Sequence, residues 1–246
     1  MSRPQPVLPA PLAPLAPDAW RRLSARRVYF GHQSVGQNIV EGIDDLVRNR
    51  REATFRAIEL GDGPLPEGGA LLHSRLGANT DPSSKFRAFE EVLRGPVGRW
   101  ATVAMLKLCY ADVHAGTDVP RLLDEQLASI ERLGRELPSV RVVAVTVPVT
   151  ALPPWPKRAA KAILGKPVRE FGDNARRAEY NDELRARLGG GVFDVARIEA
   201  TRPDGRPERD GTAMYAGYTS DRGHLNATGR LVVAEALLRY LAELSA

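Results

Sequence analysis

Two apolar runs constrain this chain more than any other feature. ATVAMLKLCYAD (residues 101–112) carries a single lysine, and VRVVAVTVPVT (140–150) is built mainly of Val and Thr. A strand that is apolar at nearly every position has both faces covered, as in parallel sheets flanked by helices. The rest of the chain meets that demand. RRVYF (26–30) reads as a short buried strand, and Val35, Ile39, Val40, Ile43, Leu46 and Val47 follow at helical spacing. ATFRAIEL (53–60) and GVFDVARI (191–198) are two further strands. LLHSRLGANTDPSSKF (71–86) reads as a polar, irregular connection into a helix around Lys85–Leu93. Helical patterns also cover 119–136, 174–188 and 226–244, the last with Asn226 as its N-cap. Strands alternating with helices predict a three-layer α/β/α sandwich around a mostly parallel five-stranded sheet. Residues 23–246 are expected to form one such domain.

The ends and the composition narrow the class. MSRPQPVLPAPLAPLAPDAW opens the chain with six prolines, which break the apolar core that a signal peptide needs. Residues 1–22 are therefore expected to be an extended Pro/Ala-rich tail. No window of 18 apolar residues exists, so no membrane span is predicted. Cys109 is the one cysteine of the 246 residues, which excludes an intrachain disulfide and fits a cytoplasmic location. The net charge is +5, with much of the excess in residues 156–177. Such a patch attracts acidic partners, yet no nucleic-acid motif accompanies it and aromatics make up only 6%. A nucleic-acid partner is not expected.

In an open parallel sheet, ligands bind at the carboxyl ends of the strands. The polar stretches at 31–36, 73–82, 109–114, 148–156 and 218–226 should converge there. Ser34 follows the first strand at a helix start, where backbone amides serve as ready donors. Asp221 and His224 lie three apart in a loop before the last helix. That spacing lets the carboxylate hold one imidazole nitrogen while the other faces a target. A serine oriented toward such a pair is an activated nucleophile. A second reading of Ser34 stays open: Ser34-Val35-Gly36-Gln37 is a Ser-x-x-Gln capping box, in which the hydroxyl serves the helix alone. Lys107, inside an apolar strand, needs a partner such as Asp112 or Asp81, or a place at the strand's open end. His32 is placed at the pocket or in support of its loop. No paired His or Cys spacing supports a metal site, and no phosphate loop is present, so no metal or cofactor is expected.

The block DRGHLNATGRLVVAEAL (221–237) resembles the last conserved block of the SGNH (GDSL-type) hydrolase superfamily. AEYNDELRARL followed by GGGVFDVARI resembles that superfamily's approach to the block, and VRVVAVTVPVT its fourth strand. The stretches FGHQSVGQNI and KLCYAD are similar to a bacterial subgroup with His-Gln-Ser in place of Gly-Asp-Ser. The resemblance spans residues 25–244 and implies a flavodoxin-like sheet. It also implies the roles: Ser34 as nucleophile, His224 as general base and Asp221 as its orienting carboxylate. Gly77 matches the oxyanion-hole glycine, with the Ser34 amide as a second donor. The superfamily's Gly-x-Asn-Asp is here LCYAD, without the asparagine, leaving Asn79 or Tyr110 to supply that donor. The implied activity is cleavage of a small ester, such as an O-acyl group on a sugar. The alternative is a non-catalytic binding protein of the same fold. Leu152–Asn174, long for a strand–helix connection, is expected to cover the site.

Overall fold

Side chains along a strand alternate between faces, and this divides the apolar residues into two cores. In the strand Arg27–His32 (β1), Val28 and Phe30 point to one core and Tyr29 to the other, each at most 1% exposed. Each such burial contributes about 1.5–3 kcal/mol. The structure is a computed structural model that describes residues 15–48 and 53–245. The remaining strands are β2 (Ala57–Glu59), β3 (Ala70–Arg75), β4 (Val103–Leu106), β5 (Arg141–Val145) and β6 (Val192–Phe193). They form one parallel sheet in the order β2-β3-β1-β4-β5-β6.

Helices α1 (Pro17–Ser24), α2 (Ser34–Val47), α8 (Val195–Glu199) and α9 (Ala227–Glu243) contribute to the core on the Val28 and Phe30 face. Helices α3 (Pro82–Arg94), α4 (Pro96–Trp100), α5 (Val119–Glu136) and α7 (Arg169–Leu188) contribute to the opposite core. A further helix, α6 (Trp155–Ile163), belongs to neither core. The expected three-layer α/β/α sandwich is the observed architecture. Its helix starts follow local chemistry. Asp81, Asp118, Asp194 and Asn226 accept from amides three residues on, and prolines occupy the first turns of α1, α3, α4, α5 and α6. None of the described helices is long and apolar enough to cross a membrane.

Three sequence expectations are corrected. The sheet has six strands, not five, because ALLHSR, read as irregular, is β3. Its polar side chains find partners within the fold: Ser74 Oγ lies 2.8 Å from the Tyr29 hydroxyl, and His73 Nδ1 lies 3.1 Å from His32 Nε2. GVFDVARI is a strand only at Val192–Phe193. Asp194 then caps α8, its carboxylate accepting from the Arg197 amide at 3.2 Å. Within the expected tail, residues 17–22 are helical rather than extended. Pro17 begins α1 rather than breaking it, and Ala19, Trp20 and Leu23 pack into the core. Residues 1–14 lie outside the described residues.

The pairing of α2 with α9 fixes the geometry of the site. A Cβ on Gly42 would stand 2.3 Å from the Arg230 carbonyl, so only glycine permits this approach of the two backbones. Arg230 then bridges back to Asp45 at 2.6 Å and Glu41 at 3.3 Å. Ser34 heads α2, and the Asp221–His224 loop leads into α9, so this contact brings the two ends of the sequence together.

Candidate active site

Ser34 is the first residue of α2, and Gln33, not Ser34, is its N-cap. The amides of Gly36 and Gln37 turn back to the Gln33 carbonyl at 2.7 and 3.2 Å, without a side-chain cap. The capping-box reading therefore fails by one residue. The Ser34 hydroxyl is free of helix duty, and it lies 4.0 Å from Cys109 Sγ. Its amide belongs to the first turn, where no intrahelical acceptor exists. Gln33 reaches sideways instead, donating to the carbonyls of Leu76 and Gly77 at 2.9 and 2.8 Å.

His32 does not line a pocket. It is 1% exposed, with its ring between the Gln33 carbonyl (3.0 Å) and His73 (3.1 Å). A Cβ on Gly36 would lie 2.2 Å from that of His32, so the glycine makes room for the ring under the helix start. Burial drives the His32 pKa down to about 3, with help from nearby His73, Lys107 and Arg75 and against the Gln33 carbonyl. The ring is neutral at neutral pH and supports the loop.

Gly77 and Asn79 lie in the loop between β3 and α3. Gly77 has φ +58°, and a side chain there would also strike Ser84 Oγ and the Lys85 amide, at 2.6 and 2.7 Å. Glycine is thus required on two counts. Asn79 is exposed, and its Oδ1 accepts from Lys85 Nζ at 3.2 Å, which leaves its NH2 as the free donor. Lys85 also pairs with Asp112 at 2.5 Å in full burial. The other bonds to Asp112 come from the Thr80 amide (2.9 Å) and the Cys109 amide (2.6 Å). This carboxylate therefore stitches the Gly77–Asp81 loop to the Cys109–Asp112 turn. Sequence analysis offered Asp112 or Asp81 as the partner of Lys107. The structure gives Asp112 to Lys85, which the helical register of α3 turns inward.

Lys107 is 0% exposed and lines no open pocket. Its Nζ donates to the Leu108 carbonyl at 3.0 Å, and Asp81 is occupied as the α3 cap. Burial lowers its pKa, against the pull of Cys109 and Glu199. Glu199, equally buried, is pushed up to about 8 by desolvation, opposed by the Val149 amide, Lys107 and Arg177.

The other half of the site is compact. Asp221 Oδ2 lies 2.6 Å from His224 Nδ1, while Oδ1 accepts from the amides of Gly223 (2.9 Å) and His224 (2.8 Å). Desolvation alone would raise the Asp221 pKa. These two amides and the imidazole outweigh it and hold the carboxyl well below the usual carboxylate range. The Tyr110 ring meets the His224 ring edge-on at 5.8 Å, with the Arg177 guanidinium 5.7 Å from the Tyr110 ring centre. Cys109 thus touches Ser34 and its neighbour Tyr110 touches His224, so one short turn spans the two halves. The Leu225 amide adds a direct tether, donating at 3.2 Å to Asn38 Oδ1, one turn along α2 from Ser34. Among the described residues no hydrogen bond joins Ser34 Oγ to the His224 ring.

Beside His224 opens a cleft of about 270 Å³, lined in part by Tyr110, Arg169, Glu170, Asp173, Asp221 and Arg222. Of the segment expected to cover the site, Arg169, Glu170 and Asp173 line this cleft, while α6 buries none of its residues. Two residues that sequence reading passed over fix the nearby backbone. Asn174 grips Thr150 through its amide (3.0 Å) and carbonyl (2.7 Å), and Asn181 grips Val147 in the same way (2.7 and 2.9 Å). Their seven-residue spacing puts both on one face of α7, a signal the sequence does contain.

No family model matches this sequence, and no curated protein matches it. Solved structures do match. A Desulfitobacterium hafniense DCB-2 protein described as a lipolytic protein of the G-D-S-L family aligns at TM-score 0.50 and 8% identity, over 87% of this chain and 98% of its own. A Parabacteroides merdae ATCC 43184 protein described as a GDSL-like lipase aligns at TM-score 0.50 and 12% identity, over 89% and 98%. At such identities the likeness establishes the fold. The chain has the fold of the SGNH (GDSL-type) hydrolase superfamily.

Proposed function

We propose that this chain is a serine hydrolase that cleaves an ester through an acyl-enzyme. The observation that carries the reading is the Asp221–His224 pair, bonded at 2.6 Å in a loop tethered through Leu225 to the helix that Ser34 heads. Ser34 Oγ attacks the ester carbonyl, and its proton passes to His224 Nε2, because Nδ1 is engaged by Asp221. Asp221, held ionised, stabilises the imidazolium that results. The amides of Ser34 and Gly77 receive the developing oxyanion, with the Asn79 NH2 as the third donor. His224 returns the proton to the departing alcohol. It then activates water to release the acid and regenerate Ser34.

The cleft favours a small polar substrate, such as an O-acylated sugar. Arg169, Glu170, Asp173 and Arg222 make its wall charged rather than apolar. A second reading, a non-catalytic binding protein of the same fold, is favoured by one observation: Ser34 Oγ contacts Cys109 Sγ and makes no hydrogen bond to His224. A fluorophosphonate probe separates the two. The native chain should be labelled and should hydrolyse short p-nitrophenyl esters. Ser34→Ala should lose both, with turnover falling about 10⁶-fold. Absence of Ser34-dependent labelling and of ester hydrolysis would leave the binding protein as the better account.

A further inference from the structure

Helix α6 is oriented against the usual rule. A surface helix normally turns its apolar stripe toward the core. Here Trp155, Ala159 and Ile163 repeat every four residues and share one face, with Pro156 and Ala160 beside them. The large side chains of that face are open to solvent: Trp155 is 71% exposed, Ile163 86% and Leu164, just beyond the helix, 65%, while Ala159 between them is half-buried. Around it, Lys157 and Lys166 are exposed and Arg158 and Lys161 half-buried. From Leu152 to Arg169 the chain carries Lys157, Arg158, Lys161, Lys166 and Arg169 and no acidic residue.

Exposed apolar side chains rimmed by cations fit an anionic lipid surface in both respects. The apolar side chains enter the acyl boundary while the basic ones meet the headgroups. A second copy of the chain fits poorly, because a symmetric contact through this face would set five cations against five. We propose that α6 is a docking helix that seats this protein on anionic bilayers. Helix α7 starts six residues after α6 ends and supplies Arg169, Glu170 and Asp173 to the cleft. The proposal concerns an interface and stands whether or not Ser34 is a nucleophile.

The test uses the full chain with vesicles of phosphatidylcholine alone and of phosphatidylcholine mixed with phosphatidylglycerol. The chain should sediment with the mixed vesicles at low salt, and high salt should release it. Tryptophan emission should shift to the blue on binding, a change that reports Trp155 because Trp20 and Trp100 are already buried, at 4% and 7% exposure. Each surface cation contributes about fivefold to such binding, so the double variant Lys157→Ala, Lys166→Ala should bind about 25-fold more weakly. Trp155→Ser with Ile163→Ser should remove the blue shift and weaken sedimentation. Both variants should keep the native circular dichroism spectrum, since the substituted side chains are exposed. The proposal is overturned if the chain sediments with neither vesicle, or if sedimentation is unchanged in these variants. It is equally overturned if the Trp155 and Ile163 substitutions abolish a concentration-dependent dimer in a chain that binds no vesicle.

Discussion

The two sides of the candidate site are built in opposite ways. The Ser34 side is assembled from distant segments: His32 meets His73, Gln33 meets Leu76 and Gly77, and Asp112 meets Thr80 and Lys85. Of its supporting side chains, His32, His73, Lys85 and Asp112 are buried. The His224 side is almost self-sufficient. Asp221 takes two amides and one imidazole nitrogen, all within four residues, and the side chains of Asp221 and His224 are 57% and 40% exposed. Long-range buried contacts make the first side part of the folding problem. Exposed ion pairs contribute little to stability, so the second side sits on a scaffold that stands without it.

The largest expected effect separates these roles. Asp221→Asn should lower ester turnover about 10⁴-fold, because the amide no longer holds the right tautomer of His224. The same variant should change unfolding free energy by less than about 1 kcal/mol. Steady-state kinetics and urea unfolding on one preparation read both quantities. A large stability loss with turnover intact would invert the comparison.

Lys85→Met asks the converse question on the buried side. It leaves the Asp112 carboxylate buried without a counter-charge, which costs about 3–5 kcal/mol. Adding Asp112→Asn should recover part of that loss, since the neutral amide oxygen still accepts from one of the two backbone amides. Urea midpoints of the two variants check this. If the second substitution deepens the loss, the Lys85–Asp112 pair is not the brace described.

The pH dependence of stability should come from the same side. A histidine whose folded pKa is depressed binds its proton more readily once unfolded. Its contribution is complete above the unfolded value near 6.5 and is lost as pH falls toward about 3. His32 should therefore weaken the fold by on the order of 5 kcal/mol across that window. Unfolding midpoints at a series of pH values should fall through it, and His32→Gln should flatten the curve. An unaltered slope in that variant would assign the acid sensitivity to other groups.

The same contrast decides what was legible in the sequence. Asp221 and His224 could be paired by eye because their interaction closes within one turn, and β4 and β5 because nearly every residue in them is apolar. β3 was missed because His73 and Ser74 look like loop residues until Tyr29 and His32, more than 40 positions away, are seen to satisfy them. Lys107 and Lys85 competed for one Asp112, and composition cannot tell which lysine the helix register of α3 turns inward. The N-cap was misplaced by one residue because Ser34 fits the capping pattern better than Gln33, whose amide is drawn to Leu76 and Gly77 instead. Pro17 hid α1, since a proline marks a helix start as readily as an extended tail.

The smallest expected effect probes the bond that crosses between the two sides. Asn38 Oδ1 accepts from the Leu225 amide, next to His224. Asn38→Ala removes a partly exposed hydrogen bond and should cost about 1 kcal/mol of stability. Its effect on catalysis should be disproportionate, because the bond fixes the imidazole loop against the helix that presents Ser34. Small misplacements of reacting groups lower rates steeply. The expected result is a fall in kcat of about tenfold or more with KM little changed, since Asn38 does not line the cleft. Asn38→Asp retains an acceptor and should restore most of the rate. A variant that unfolds earlier yet turns over at the native rate would show that the two sides are joined by folding alone, and the reading of Ser34 and His224 as one catalytic unit would then lose its structural support.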